Sequence, residues 1–322
     1  MDEPPASDDP IRTVAPAEPV GEGGAPGPPA PRLRPAFLAT LAALLVAVGM
    51  QVVMTVVVAI GLMATDAPIE DLPERLQSAL QSGPAVIATI ALGSGAFGLV
   101  AVYAARRAPE GFRDTLGLHP VREPWKAFGL TTIGSIPVLA VSIAAANYVH
   151  SRAPLADGFG AFFETVTPLF GVLFVITIAA VPGVCEELLF RGYIQRRLLR
   201  RWSPAWSIGW ATVLFAVAHV APSYIAVALP LGVWFGVIAW RTGSVWPSVA
   251  CHAFVNGGVN AWRLVSKFAG LSEATHWAID VAFVSVGLVA FALACVWLAR
   301  YTREPIRDPH QPTEGGAIAV ES

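Results

Sequence analysis

The chain has 322 residues, of which 55% are hydrophobic and only 14% charged, against about a quarter charged in an ordinary soluble domain. A mean hydropathy of +0.59 points to an integral membrane protein. The net charge of -2 and the scatter of the basic residues leave no stripe for nucleic acid, so no nucleic-acid partner is expected.

Residues 1–31 are rich in Pro, Gly, Ala and acidic side chains, with almost no large apolar ones. Such a segment cannot bury a core and reads as a disordered tail, as does the stretch 301–322. Between them, 32–300 reads as a transmembrane helical domain. The first apolar run, 36–64, is too long for the hydrophobic part of a signal peptide and follows a long polar lead, so it is expected to stay as a first span. Further runs lie at 84–105, 127–149, 168–188, 205–221, 224–240, 245–262 and 281–299. At about 1.5 Å per residue each reaches, or nearly reaches, across a hydrocarbon core of about 30 Å. The expectation is an all-α bundle of about eight transmembrane helices. Between the fifth and sixth, only Pro222-Ser223 offers a turn.

Placing the 21 Lys and Arg residues on alternate sides of eight spans leaves 17 on one side and only Arg75, Arg152, Arg263 and Lys267 on the other. Positive charge is retained in the cytoplasm, so both termini are expected there and the chain in the cytoplasmic (plasma) membrane. The same rule accounts for Arg196, Arg197, Arg200 and Arg201 as topogenic charge. The three cysteines all fall within spans and form no Cys-x-x-Cys pair; Cys185 and Cys251 read as small apolar packing residues.

Three short motifs break the apolar pattern: Glu186-Glu187-Leu188-Leu189-Phe190-Arg191, Phe215-Ala216-Val217-Ala218-His219 and His252-Ala253-Phe254-Val255-Asn256. An ionisable group at mid-bilayer costs roughly 2.5 to 3.5 kcal/mol on insertion scales, so several in one chain call for a chemical reason. Helical residues four apart share a face. Glu187 therefore pairs with Arg191, while Glu186, turned about 100° away, is free for another task. If the fourth and fifth spans form a hairpin about Trp202-Ser203-Pro204, with Ser203 as N-cap, facing residues have numbers summing to about 405. Glu186 and His219 then lie level, and His252 enters at a similar depth.

Such a cluster suits hydrolysis of an amide. A partly desolvated carboxylate, Glu186 with help from His219, takes a proton from water, and His252 with Asn256 supplies donors for the oxyanion. A second arrangement keeps zinc open as a cofactor, with His219, His252 and Glu186 as ligands and a water in the fourth position, although no His-Glu-x-x-His is present. Two other readings use the same residues without hydrolysis: a nonenzymatic immunity or scaffold protein whose polar cluster holds helices together, and a proton-coupled transporter with a Glu/His relay.

Glu-Glu-x-x-x-Arg, Phe-x-x-x-His and His-x-x-x-Asn, in this order on separate apolar spans, resemble the CPBP family of intramembrane proteases, also called the abortive-infection family. It contains CAAX prenyl endopeptidases and bacteriocin-processing or bacteriocin-immunity proteins. The run Glu-Glu-Leu-Leu-Phe-Arg-Gly-Tyr at 186–193 extends the likeness. The resemblance implies a protease core at about 120–265 and a membrane-associated or lipidated protein or peptide as substrate. It gives Glu186 and His219 the activation of water, Glu187 and Arg191 a supporting part, and His252 and Asn256 the oxyanion. Phe215 falls at the family's aromatic position, a substrate-binding candidate. Members are often classed as metalloproteases, although the glutamate mechanism requires no metal.

Overall fold

The computed structural model describes residues 33–152 and 160–301; the expected tails at 1–31 and 301–322 lie outside these, Tyr301 excepted. Among the described residues there are eleven helices and no strand. In chain order they are α1 (Arg34–Met63), α2 (Leu72–Leu80), α3 (Gly83–Arg106), α4 (Phe112–Leu116), α5 (Trp125–Arg152) and α6 (Gly160–Thr165). There follow α7 (Pro168–Leu199), α8 (Pro204–Val217), α9 (Pro222–Thr242), α10 (Trp246–Ala269) and α11 (Glu273–Arg300).

The sequence punctuates these helices visibly. Proline stands in the first turn of α1, α2, α3, α7, α8, α9 and α10, where its missing N–H has no helical partner to lose. Gly117, Gly243 and Gly270 end α4, α9 and α10 with positive φ, a conformation that a Cβ penalises. Ser203 occupies the expected N-cap position of α8, but its side chain makes no capping hydrogen bond.

Helices stand at all eight expected positions, and six of them (α1, α3, α5, α7, α9 and α11) are long and apolar enough to cross a membrane. The chain is a multi-pass integral membrane protein. The remaining two differ for physical reasons. The 14 residues of α8 reach only about 21 Å at 1.5 Å per residue. The 24-residue α10 has the length but carries His252, Asn256, Asn260 and Arg263, one polar side chain per turn. Large apolar side chains on α1 and α11, among them Leu45, Val53, Ile60, Val286 and Val289, are exposed; a surface of that kind suits lipid rather than water.

At the centre, α7 packs against α3 and α10, and α9 against α5 and α8, with α1 outside α3. The contacts give the directions. Cβ atoms added at Gly83 and Gly98 meet Phe170 and Cys185, a constant offset that makes α3 parallel to α7. Gly183 meets Ala253 and Gly257 meets Ala179, a constant sum that makes α10 antiparallel to α7. Arg191 bonds the Gly232 carbonyl and Gln195 that of Gly236, so α9 runs parallel to α7. The predicted register of the α7–α8 hairpin holds: Phe190 and Phe215, whose numbers sum to 405, meet edge to face at 5.3 Å.

Arg196 does more than carry topogenic charge. Its guanidinium donates to the carbonyls of Asp114 and Gly243, both at 3.0 Å. Ser244 Oγ donates to the His119 carbonyl at 2.7 Å, and these ties fix the start of α10 to the end of α4. Arg200 is paired with Glu110.

Candidate active site

The three motifs converge. Glu186, Phe215, His219, His252 and Asn256 all line one cavity of about 1080 Å³ whose other walls are largely apolar side chains from α1, α3, α5 and α9. Volume, apolar walls and a few polar groups together are what small-ligand and substrate pockets share.

The adjacent glutamates have separate partners. Glu187, fully buried, accepts on one oxygen, Oε1, from Arg191 Nη1 at 2.9 Å and from His252 Nδ1 at 2.9 Å. A carboxylate only accepts, so His252 carries its proton on Nδ1 and turns Nε2 to the other side. Nε2 lies 4.0 Å from Glu186 Oε2, too far for a hydrogen bond. The imidazole is wedged between a stacked Phe235 at 5.2 Å and the edge-on Phe215 at 5.8 Å. A histidine oriented by a carboxylate on one nitrogen and open on the other is the arrangement of a catalytic dyad. Glu187 thus positions His252 while Arg191 neutralises it.

Glu186 faces the other way. Its Oε1 accepts from Ser94 Oγ on α3 at 2.9 Å, and its Oε2, like that of Glu187, is buried without a hydrogen-bond partner among the described residues.

Arg191, 1% exposed, also donates from Nη2 to the Gly232 carbonyl at 3.2 Å and lies 4.1 Å over the Phe215 ring. A Cβ at Gly232 would stand 3.2 Å from that Nη2 and 2.8 Å from Thr212 Cγ2, so the close approach needs glycine. Leu188–Gln195, which carries the arginine, is wound in π-helical turns, a distortion common at functional sites. Phe215 itself is buried and touches Arg191, Phe190, His219 and His252; it packs the machinery as well as lining the cavity.

The structure ends α8 at Val217, so His219 stands just past the helix rather than within it. Its Nδ1 meets the Phe215 carbonyl at 2.9 Å; a carbonyl accepts, so Nδ1 carries the proton and Nε2 is the free nitrogen. Among the described residues no hydrogen bond or ion pair joins His219 to Glu186, although both line the cavity.

Asn256 has a partner with a cause. Pro182 lies inside α7 and cannot donate to the carbonyl four residues earlier, which is that of Ile178. Asn256 Nδ2 donates to that carbonyl at 3.3 Å. This uses one amide N–H of Asn256, a residue that also lines the cavity.

A metal ion fits this donor set poorly. Among the described residues no three His, Cys, Asp or Glu side chains are placed to hold one, and Glu186, His219 and His252 do not form such a cluster.

Residues 168–258 match the family model Rce1-like, described as type II CAAX prenyl endopeptidase Rce1-like. Over this stretch, 91 of the 322 residues, the chain is similar to that family. No match is found among curated proteins or among solved structures. The Rce1-like domain runs from the start of α7 into α10 and holds all three motifs; α1, α3 and α5 lie outside it. It starts later than the core expected at about 120. Three features of the site were not singled out in the sequence: Ser94, the glycines 232 and 236 that admit Arg191 and Gln195, and the dependence of Asn256 on Pro182. Only the last had a local signal, a proline four residues before the first glutamate.

Proposed function

We propose that the chain is an intramembrane endopeptidase of CAAX-protease type, which hydrolyses a peptide bond of a lipidated or membrane-associated protein or peptide. The observation that carries this reading is the division between the two glutamates: Glu187 is committed through Oε1 to Arg191 and His252, while Glu186 is the one that lines the cavity, with Oε1 on Ser94 and no partner on Oε2 among the described residues. In this reading, Glu186 takes a proton from a water molecule as the water oxygen attacks the substrate carbonyl. Negative charge then develops on the carbonyl oxygen; the amide of Asn256 donates to it, and His252 donates from Nε2 when the ring is doubly protonated, its Nδ1–H staying on Glu187. Glu186 passes its proton to the leaving nitrogen as the C–N bond breaks. His219, with Nε2 free, assists in holding the water. No step is routed through a metal. The basic-residue bias supports a chain in the plasma membrane with both termini on the cytoplasmic side and the site near that face.

The test uses purified protein in lipid–detergent micelles and an internally quenched, prenylated CAAX peptide, beside the same peptide without the lipid. Wild type is expected to cleave, and Glu186→Gln, His219→Ala and His252→Ala each to lose at least about a hundredfold, the usual scale for acid–base groups, while remaining folded. Wild-type rates in Glu186→Gln would reject the peptidase. A cluster that only held helices together would instead show a lowered unfolding midpoint with biological activity kept.

A further inference from the structure

Buried hydroxyls in this bundle have a habit. Thr40, Thr131, Ser135, Ser142 and Thr242 each donate to the carbonyl four residues earlier in their own helix. That back-bond is what a hydroxyl does in an apolar helix with nothing better in reach. Ser94, equally buried, does not do so. Its hydroxyl crosses to another helix and donates to a carboxylate 92 residues away in sequence, Glu186 Oε1, at 2.9 Å.

The approach of the two helices explains how. A Cβ on Gly98 would lie 2.7 Å from Cys185 Sγ, so α3 and α7 meet closely there because position 98 lacks a side chain. Ser94 is one turn before Gly98 on the same face. The helices run parallel, and helical side chains lean toward the N-terminus, so Glu186, next to Cys185, reaches back to the level of Ser94. With Oε1 held, the carboxylate presents Oε2, which has no hydrogen-bond partner among the described residues, beside His252.

We infer that Ser94 is a positioning residue for the hydrolytic carboxylate: its hydroxyl fixes the Glu186 rotamer and assigns Oε2 as the oxygen that receives the proton of the attacking water. Ser94 lies on α3, outside the Rce1-like domain, so neither the three motifs nor the family match assigns it. The inference rests on the peptidase reading above and concerns which group outside the motifs makes Glu186 competent.

The experiment measures kcat and KM with the quenched prenylated peptide for wild type, Ser94→Ala, Ser94→Thr, Glu186→Gln and the Ser94→Ala/Glu186→Gln pair. A hydrogen bond to a charged group corresponds to about tenfold to a hundredfold in rate. Ser94→Ala is therefore expected to lose that much in kcat with KM changed less than about twofold, since a misplaced base affects the transition state more than the bound substrate. Its unfolding midpoint should stay within about 3 °C of wild type. Ser94→Thr, which keeps the hydroxyl, should recover most of the rate. In the Glu186→Gln background, Ser94→Ala should have no further effect, because residues acting as a unit are not additive. An unchanged kcat in Ser94→Ala would overturn the inference, as would a Ser94→Thr rate no better than that of alanine, or a loss confined to KM. The two ideas fail differently: an active wild type with an unaffected Ser94→Ala sinks only the role of Ser94, whereas equal rates in wild type and Glu186→Gln sink the peptidase and this role together.

Discussion

The buried ion pair of α7 is the sharpest quantitative test of how this bundle tolerates charge. In Arg191→Leu the fully buried Glu187 loses its counter-charge and keeps the His252 hydrogen bond. Breaking a buried pair from one side costs about 3 to 5 kcal/mol, and the guanidinium stacked 4.1 Å over Phe215 adds up to about 2 kcal/mol in a desolvated setting. Leucine returns part of that as apolar packing, so a net loss of about 4 kcal/mol is expected, a large share of a typical stability of about 5 to 15 kcal/mol. Glu187→Gln combined with Arg191→Leu removes the stranded charge while leaving an oxygen to accept from His252. The pair should therefore be more stable than Arg191→Leu alone, with a coupling of about 2 kcal/mol. Equilibrium unfolding in mixed micelles with rising SDS, followed by the fluorescence of the ten tryptophans, gives all the free energies. A loss under about 1 kcal/mol in Arg191→Leu, or a double variant no more stable than the single one, would refute the view that charge neutralisation holds this site.

Two further outcomes follow from the backbone. Pro182→Ala restores an N–H opposite the Ile178 carbonyl, now served by Asn256. Unfolding free energy should rise by about 1 kcal/mol, the worth of one helical hydrogen bond, while kcat falls about tenfold because the Asn256 amide loses its anchor; a variant both more stable and equally active would remove Pro182 from any part in orienting Asn256. Val220, next to His219, is held at φ 62°, a left-handed conformation that costs a β-branched residue about 1 to 2 kcal/mol. Its side chain is 76% exposed, so Val220→Gly gives up little packing, and after the entropy cost of glycine, about 0.5 to 1 kcal/mol, it should stabilise by about 0.5 to 1 kcal/mol. A lower unfolding midpoint for Val220→Gly would show that the strain estimate is wrong.

Much of this arrangement was legible before any coordinates because its signals are local. A proline in the first turn of seven helices, and glycine at the ends of three, mark boundaries from neighbouring residues alone. The pairing of Glu187 with Arg191 follows from helical spacing, and the meeting of Phe190 with Phe215 from counting across one tight turn. The count of spans was less legible. Apolar composition continues from α8 through His219 into α9, and nothing in the run 205–221 reveals that the helix stops at Val217, leaving a segment too short to span by itself. The shared use of Glu187 Oε1 by Arg191 and His252 was hidden for a different reason. It depends on how far α10 slides along α7, and that is set by small residues, Gly183 against Ala253 and Ala179 against Gly257, whose spacing in sequence says only that they could meet something.

The same distinction separates the two glutamates. Glu187 takes both its ion pair and its histidine hydrogen bond from residues inside the three motifs, although Gly232, outside them, admits the arginine. Glu186 owes its one hydrogen bond to α3, and a serine in an apolar span looks, in sequence, like every other serine that bonds back into its own helix. What marks Ser94 out is the glycine one turn later, which brings α7 close enough for the hydroxyl to be drawn away from its own backbone. Intact motifs therefore establish that the carboxylates, imidazoles and amide are present. Whether the free carboxylate is held ready depends on a helix that the motifs do not contain. A relative with all three motifs but a bulky residue at the position of Gly98 is expected to retain the ion pair and the fold while its Glu186 equivalent swings free of α3.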